Sequence, residues 1–226
     1  MCGRFTLTLP PEKLQEVFQV AQVLPFKPRF NIAPTQPSLV VRVREGRRET
    51  ALLRWGLVPS WARDPSIGSR LINARAETAR EKPAFAAAFR ERRCLVPADG
   101  FYEWRKGPGG SRPYLVRFRD GRPFAFAGLW ERWEKEGPPL ETFTILTTRP
   151  NQVVAPIHDR MPVVLDPARF EEWLDPDLSD PSRLEAVLVP PPPEEMEAFP
   201  VTPKVNRPDF DDPSCLRPLP ETPGLW

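Results

Sequence analysis

The second residue of the chain is a cysteine, Cys2, behind Met1. Methionine aminopeptidases remove an initiator Met when the next residue is small, and Cys qualifies. A chain processed in this way begins with an α-amine and a thiol on adjacent carbons. The α-amine has a pKa of about 7.7–8.0 against about 10.4 for Lys, so roughly 10–15% of it is unprotonated at pH 7. It can attack an aldehyde at neutral pH and form a Schiff base. The thiol can then close on the imine carbon and complete a five-membered thiazolidine. Judged on this residue alone, a cysteine that merely falls at position 2 is the alternative.

Other segments carry chemistry of their own. Gly100-Phe101-Tyr102-Glu103-Trp104 sets a carboxylate between aromatic residues. Burial there raises its pKa and suits it to proton transfer, whereas a solvent-facing Glu would do neither. Strand alternation puts Phe101, Glu103 and Arg105 on one face and Tyr102 and Trp104 on the other. Pro156 to Pro162 holds the only histidine, His158, on a loop between prolines. That ring either shuttles a proton or caps a carbonyl, and Arg160 two residues on suits a phosphate. In Leu71 to Glu77, an extended chain puts Asn73, Arg75 and Glu77 on one face, as a catalytic edge or simply a polar one. Phe30 to Thr35, with Asn31 and Pro34, and Arg54 to Trp61 mix aromatic or apolar residues with Pro, Arg or Asn. They suit either stacking of unpaired bases or core packing. Cys94, in an apolar strand, and Cys215, in a Pro-rich tail, read as structural.

Composition narrows the classes. The chain has 226 residues with a net charge of +2. Residues 1–120 hold 22 Lys+Arg against 11 Asp+Glu, a net of +11, and residues 121–226 hold 10 against 19, a net of −9. This asymmetry points to a surface on the first half that faces a polyanion. Three Cys and one His exclude a four-Cys zinc site and a multi-His metal centre, so no metal or cofactor is expected. No apolar run approaches the ~18 residues of a membrane span, and the first residues lack a signal-peptide stretch. A cytoplasmic protein is expected, nucleoid-associated if bacterial.

Strand signals outnumber helix signals and do not alternate with them. This predicts an α+β fold in a single domain over 1–226, with a curved, largely antiparallel sheet and short flanking helices. Helices are expected at Pro11 to about Val20, Glu81 to Arg90, Pro167 to Leu174 and Pro181 to Leu188. Strands are expected at Ser38–Arg44 and Arg47–Leu53, around a Glu45-Gly46 hairpin. Further strands are expected at Arg93–Ala98, Phe101–Arg105 and Thr142–Thr148. Tyr114–Arg119 and Pro123–Leu129 flank Asp120-Gly121 and are expected to form a second hairpin. Pro190 to Pro193 should be extended.

In combination these pieces resemble the SOS response-associated peptidase (SRAP) family. The matching pieces run in order along the chain. They are Met-Cys-Gly-Arg-Phe at 1–5, Asn-Ile-Ala-Pro-Thr at 31–35 and Arg-Trp-Gly-Leu-Val-Pro at 54–59. Next come Asn-Ala-Arg-Ala-Glu at 73–77 and the stretch from Arg93 to Trp104. Ile-His-Asp-Arg-Met-Pro at 157–162 and Pro-Val-Thr-Pro-Lys-Val-Asn at 200–206 complete the set.

The resemblance implies a monomeric sensor of abasic sites in single-stranded DNA that links itself to the ring-opened sugar through Cys2, once Met1 is removed. It also implies that Asn73 positions Cys2 and the sugar, and that Glu103 moves protons to and from the amine and the departing hydroxyl. His158 would assist ring opening and the proton steps. Arg4, Arg75 and Arg160 would lie near DNA phosphates, with Trp104, Asn31 and Pro34 on the DNA-facing surface. A thiol peptidase acting on other proteins and a non-covalent single-strand binding module are the alternatives.

Overall fold

The fold was obtained as a computed structural model, which describes residues 2–220 apart from Pro176 and Ser179. The first half of the chain contains β1 (Arg4–Leu7), α1 (Pro11–Phe18), β2 (Arg29–Ile32), β3 (Pro37–Arg44), β4 (Arg47–Trp55), β5 (Asn73–Arg75), α2 (Ala76–Ala79), α3 (Ala86–Glu91), β6 (Arg93–Ala98), β7 (Gly100–Gly107) and β8 (Gly110–Phe118). The second half contains β9 (Phe124–Trp133), β10 (Leu140–Thr148), β11 (Met161–Pro162), β12 (Val164–Leu165), α4 (Phe170–Leu174), α5 (Pro181–Val187) and β13 (Met196–Pro200). The α+β expectation holds, and most pairings are antiparallel.

The strands divide into two sheets. One is wholly antiparallel, in the order β13-β8-β7-β1-β2. The other runs β11-β10-β4-β3-β6-β9-β12, and an extra β9–β10 pairing closes it into a small barrel. Two parallel pairings, β10 with β4 and β10 with β5, are part of that barrel. Phe5 on β1 crosses between the sheets. Its ring meets Trp55 of β4 at 5.2 Å and Phe126 of β9 at 5.5 Å, both edge to face. Each such pair contributes about 0.5–1.5 kcal/mol beyond area burial. Because Phe5 is wedged there, Cys2, three residues earlier, lies at the seam. Asp99 fastens the same strand from the β6–β7 corner, accepting from the Thr8 N–H and hydroxyl, both at 2.6 Å.

Several elements differ from their sequence signals. The Glu45-Gly46 turn is a hairpin as expected: both residues have positive φ, 52° and 73°, and Arg44 pairs with Arg47. The Asp120-Gly121 turn is not one. β8 pairs with β7 and β13, while β9 belongs to the barrel. The turn is a corner between sheets, with Phe118 and Phe124 packed edge to face across it at 5.6 Å. Dipeptide chemistry sets the reversal, but burial of those rings decides which strands pair. The helix expected at Glu81–Arg90 is replaced by α2 and α3 around Pro83, which has no N–H to donate to a helix. α1 stops at Phe18 because Gln19 adopts a left-handed conformation at φ 53°. Leu14 and Phe18 are its buried face.

Candidate active site

β1 runs antiparallel to β7 with Arg4 opposite Tyr102. Continuing that register sets Cys2 beside the Glu103–Trp104 stretch. Alternation along β7 is as expected, with Phe101 in the main core and Tyr102 and Trp104 against a second cluster that includes Val201 and Cys215. Asn73 arrives from the barrel side. β5 pairs in parallel with β10, Asn73 opposite Ile145, and its Nδ2 donates to the Cys2 carbonyl at 2.8 Å. One hydrogen bond therefore joins the two sheets at Cys2.

Cys2 is fully buried, and burial drives its thiol far above the ordinary range, with the Glu103 charge adding to the effect. The thiol is neutral at pH 7, and its Sγ donates to the Arg4 carbonyl at 3.7 Å. Glu103 is 1% exposed. Burial pushes its carboxyl up to about 7, the Asp159 charge pushes the same way, and the Trp104 N–H pulls it back. A buried carboxyl near neutrality is equipped to take and return protons at working pH.

His158 lies on a turn after β10. The Asn151 side chain accepts from the Val153 and Val154 N–H groups, both at 3.2 Å. The His158 N–H then donates to the Val154 carbonyl at 2.9 Å. Burial lowers the imidazole pKa, and Lys106 acts in the same direction while Asp159 opposes it. The ring is therefore neutral at pH 7. Its Nδ1 accepts the Arg160 N–H at 3.0 Å, which leaves the proton on Nε2. Asp159 Oδ1 also lies 2.9 Å from Nδ1 and pairs with it when Nδ1 carries a proton.

The remaining expected residues differ in their exposure and partners. Arg4, half-buried, donates to the carbonyls of Gly3 at 3.1 Å and Asn206 at 3.3 Å. Trp104 donates through its indole N–H to Asn206 Oδ1 at 2.7 Å. Arg75 is exposed, and Pro34 is half-exposed. Asn31 is not on the surface: it is fully buried, and its amide lies 3.2, 3.0 and 2.8 Å from the carbonyls of Val205, Arg207 and Phe210. It clamps the segment that carries Asn206. Glu77 also departs from the expected shared face, because the strand ends at Arg75 and α2 begins at Ala76. Its carboxylate takes the Arg160 fork at 2.7 and 2.8 Å. Asn206 and Glu77 close the motif pieces 200–206 and 73–77, which was the available signal for both. Lys106 had none. Cys94 and Cys215 are free thiols and buried.

Among the described residues, no group of three or more His, Cys, Asp or Glu is placed to hold a metal ion. Among them too, no helix is long and apolar enough to cross a membrane.

A buried thiol, an amide on its backbone and a near-neutral carboxyl thus meet where an α+β layer joins a small barrel. Comparison with known proteins identifies the family. The family model described as "SOS response associated peptidase (SRAP)" matches residues 1–208. The chain belongs to that family. Abasic site processing protein YoqW of Bacillus subtilis (strain 168) is 43% identical over 221 residues, covering 96% of this chain and 99% of that protein. Abasic site processing protein YedK of Escherichia coli (strain K12) is 31% identical over 185 residues, covering 79% and 82%. A crystal structure of a protein from Bacteroides thetaiotaomicron superposes with a TM-score of 0.87 at 25% identity, covering 96% of this chain and 100% of that one.

Proposed function

We propose that this protein processes abasic sites in single-stranded DNA by capturing the ring-opened sugar covalently at Cys2. The observation that carries this reading is the convergence on Cys2. Asn73 holds its carbonyl at 2.8 Å, and the Glu103 carboxyl beside it is poised at about 7. The names of the relatives, abasic site processing proteins, support the substrate class.

The reading requires that Met1, which lies outside the described residues, be removed, by the protein itself or by an aminopeptidase. The freed amine then attacks the C1′ aldehyde and forms a carbinolamine. Protonated Glu103 gives its proton to the departing hydroxyl, so water leaves and a protonated imine forms. The Cys2 sulfur attacks the imine carbon, and its proton goes to the Glu103 carboxylate. The C=N electron pair returns to the nitrogen, which keeps its own proton, and the ring closes. The sum is aldehyde plus aminothiol giving thiazolidine plus water. Because the thiol is neutral at pH 7, the amine attacks first and the sulfur second. His158, neutral with Nε2–H outward from its Arg160 bond, assists sugar ring opening. Arg4 and Arg75, with Trp104, form the approach for phosphates and bases, in keeping with the +11 charge of residues 1–120.

The test is a gel assay with a single strand carrying one abasic site, heated in detergent. A retained band with wild-type protein, absent with Cys2→Ala, is expected. An equally strong heat-stable band with Cys2→Ala, or intact mass showing Met1 on crosslinking protein, refutes the mechanism. Binding that ignores both the lesion and Cys2 would instead mark a non-covalent single-strand module.

A further inference from the structure

We propose that Glu77 is a positioning residue for His158, acting through the guanidinium fork of Arg160. The inference takes its functional weight from the reading of the site above, but its geometry stands by itself.

Arg160 works at both ends. Its side chain grips Glu77 with two parallel bonds, Nη1 to Oε1 at 2.7 Å and Nη2 to Oε2 at 2.8 Å, and Nη2 also donates to the Thr147 carbonyl at 2.6 Å. Its backbone N–H donates to His158 Nδ1 at 3.0 Å. A two-point guanidinium–carboxylate pair fixes direction as well as distance. The fork therefore anchors Arg160 from its side-chain end, beside the β10–β11 pairing that begins at Met161 on its backbone end.

Glu77 is itself well placed to be a reference point. It lies four residues after Asn73, in the helix that opens directly from β5. Thr147, the other acceptor, is paired with Arg75 in the same β5–β10 ladder. The fork thus ties the histidine loop to the segment that holds Asn73, and Asn73 in turn holds Cys2. The Arg160 hydrogen bond is the main cause that holds the carboxylate below its ordinary range. The Arg160 side chain is 17% exposed, so the pair is shielded on the arginine side. A residue assigned to DNA phosphates by resemblance is therefore, in the free protein, occupied by a protein carboxylate.

The chain has one histidine, so its imidazole nitrogens can be read without assignment. The experiment is a long-range 1H–15N spectrum of 15N-labelled protein at about pH 8, where the ring is neutral. It is recorded for wild type and Glu77→Ala, beside crosslinking to an abasic single strand and binding to an intact single strand. Wild type should give one dominant tautomer, with Nε2 protonated and Nδ1 in its acceptor position. Glu77→Ala should move both nitrogens toward the averaged tautomer and slow crosslinking about tenfold to a hundredfold, the cost of a misplaced group. Affinity for the intact strand should stay unchanged.

A wild-type tautomer in Glu77→Ala overturns the inference whatever happens to crosslinking. Loss of intact-strand affinity with that tautomer kept would mean that Glu77 holds Arg160 for a phosphate contact instead. Absence of crosslinking in wild type, with the tautomer shift present, removes the proposed function and leaves the positioning role. If Glu77→Ala does not fold, Glu77→Gln replaces it. Gln keeps one acceptor oxygen, so a smaller shift in the same direction is expected, and a spectrum identical to wild type refutes the role.

Discussion

Cys2 and Cys94 are both fully buried, and burial raises the thiol of each far above its ordinary value. Their surroundings differ. Cys94 lies inside β6 opposite Gly128, and the charge that reaches it, from Arg42, favours the thiolate. Cys2 lies at the seam of two sheets, with Glu103 alongside and the Asn73 amide on its carbonyl. A buried thiol is ordinarily inert. Ionisation of the sulfur does not separate the two, because burial pushes both thiols up to a similar extent. Cys2 has what Cys94 lacks: an α-amine one carbon away once Met1 is gone, and a carboxyl able to receive the sulfur's proton.

The widest separation between the two thiols should come from deleting each. Cys2→Ala should abolish the heat-stable adduct. Cys94→Ala should leave the adduct yield intact and lower only the unfolding midpoint. A comparable loss of adduct in both variants would mean that core integrity, not the aminothiol, limits the reaction.

Glu103 gives the next largest effect. Removing a positioned proton-transfer group costs about 10²–10⁴-fold in rate. Glu103→Gln should therefore slow adduct formation by about two orders of magnitude or more and erase any inflection near pH 7. The same carboxyl has a stability signature with a definite sign. Its ordinary value is 4.5 and its folded value is about 7. Between those values the folded chain binds more protons than the unfolded one, so this group's contribution falls as pH rises, and is flat outside the window. At 1.36 kcal/mol per pH unit the whole swing is about 3 kcal/mol. Glu103→Gln should accordingly melt higher relative to wild type at pH 8 than at pH 5. Equal differences at both pH values would show that Glu103 is ionised normally and is no proton store.

The sequence made the members of this site legible but not its joints. Cys2, Glu103 and His158 each carry a local signal: a small residue after Met, a carboxylate between aromatics, a lone His between prolines. The Arg160–Glu77 fork joins residues 83 apart, and no local pattern encodes such a pair. Asn31, expected on the DNA-facing surface, is buried for a related reason. A polar residue in a loop-like string reads as exposed, yet its amide is consumed by carbonyls more than 170 residues away. The two Xaa-Gly turns make the same point about the fold. Glu45-Gly46 is a hairpin because its two strands pair with each other from Pro37–Arg54 to Arg44–Arg47, whereas Asp120-Gly121 reverses the chain between different sheets. Local chemistry fixes the bend, and distant packing fixes the partner.

The smallest effect concerns Cys94 and sharpens why that thiol is silent. Gly128 sits opposite it, and a methyl group at Gly128 would stand 2.8 Å from Cys94 Sγ, 2.9 Å from Val96 Cγ2 and 3.3 Å from the Cys94 carbonyl oxygen. Those are overpacked contacts inside a barrel wall, where extra volume costs about 1–3 kcal/mol. Gly128→Ala should lower stability by that amount in urea unfolding, with the crosslinking rate of the folded protein unchanged. Combining it with Cys94→Ala removes the sulfur that the methyl meets. The two residues are in contact, so the double variant should be more stable than the sum of the singles by about 0.5 kcal/mol or more. Strict additivity would mean that Val96 or the backbone carries the clash. A fall in crosslinking with Gly128→Ala would mean that strain in this wall reaches Cys2, and that the two thiols are coupled through the barrel rather than independent.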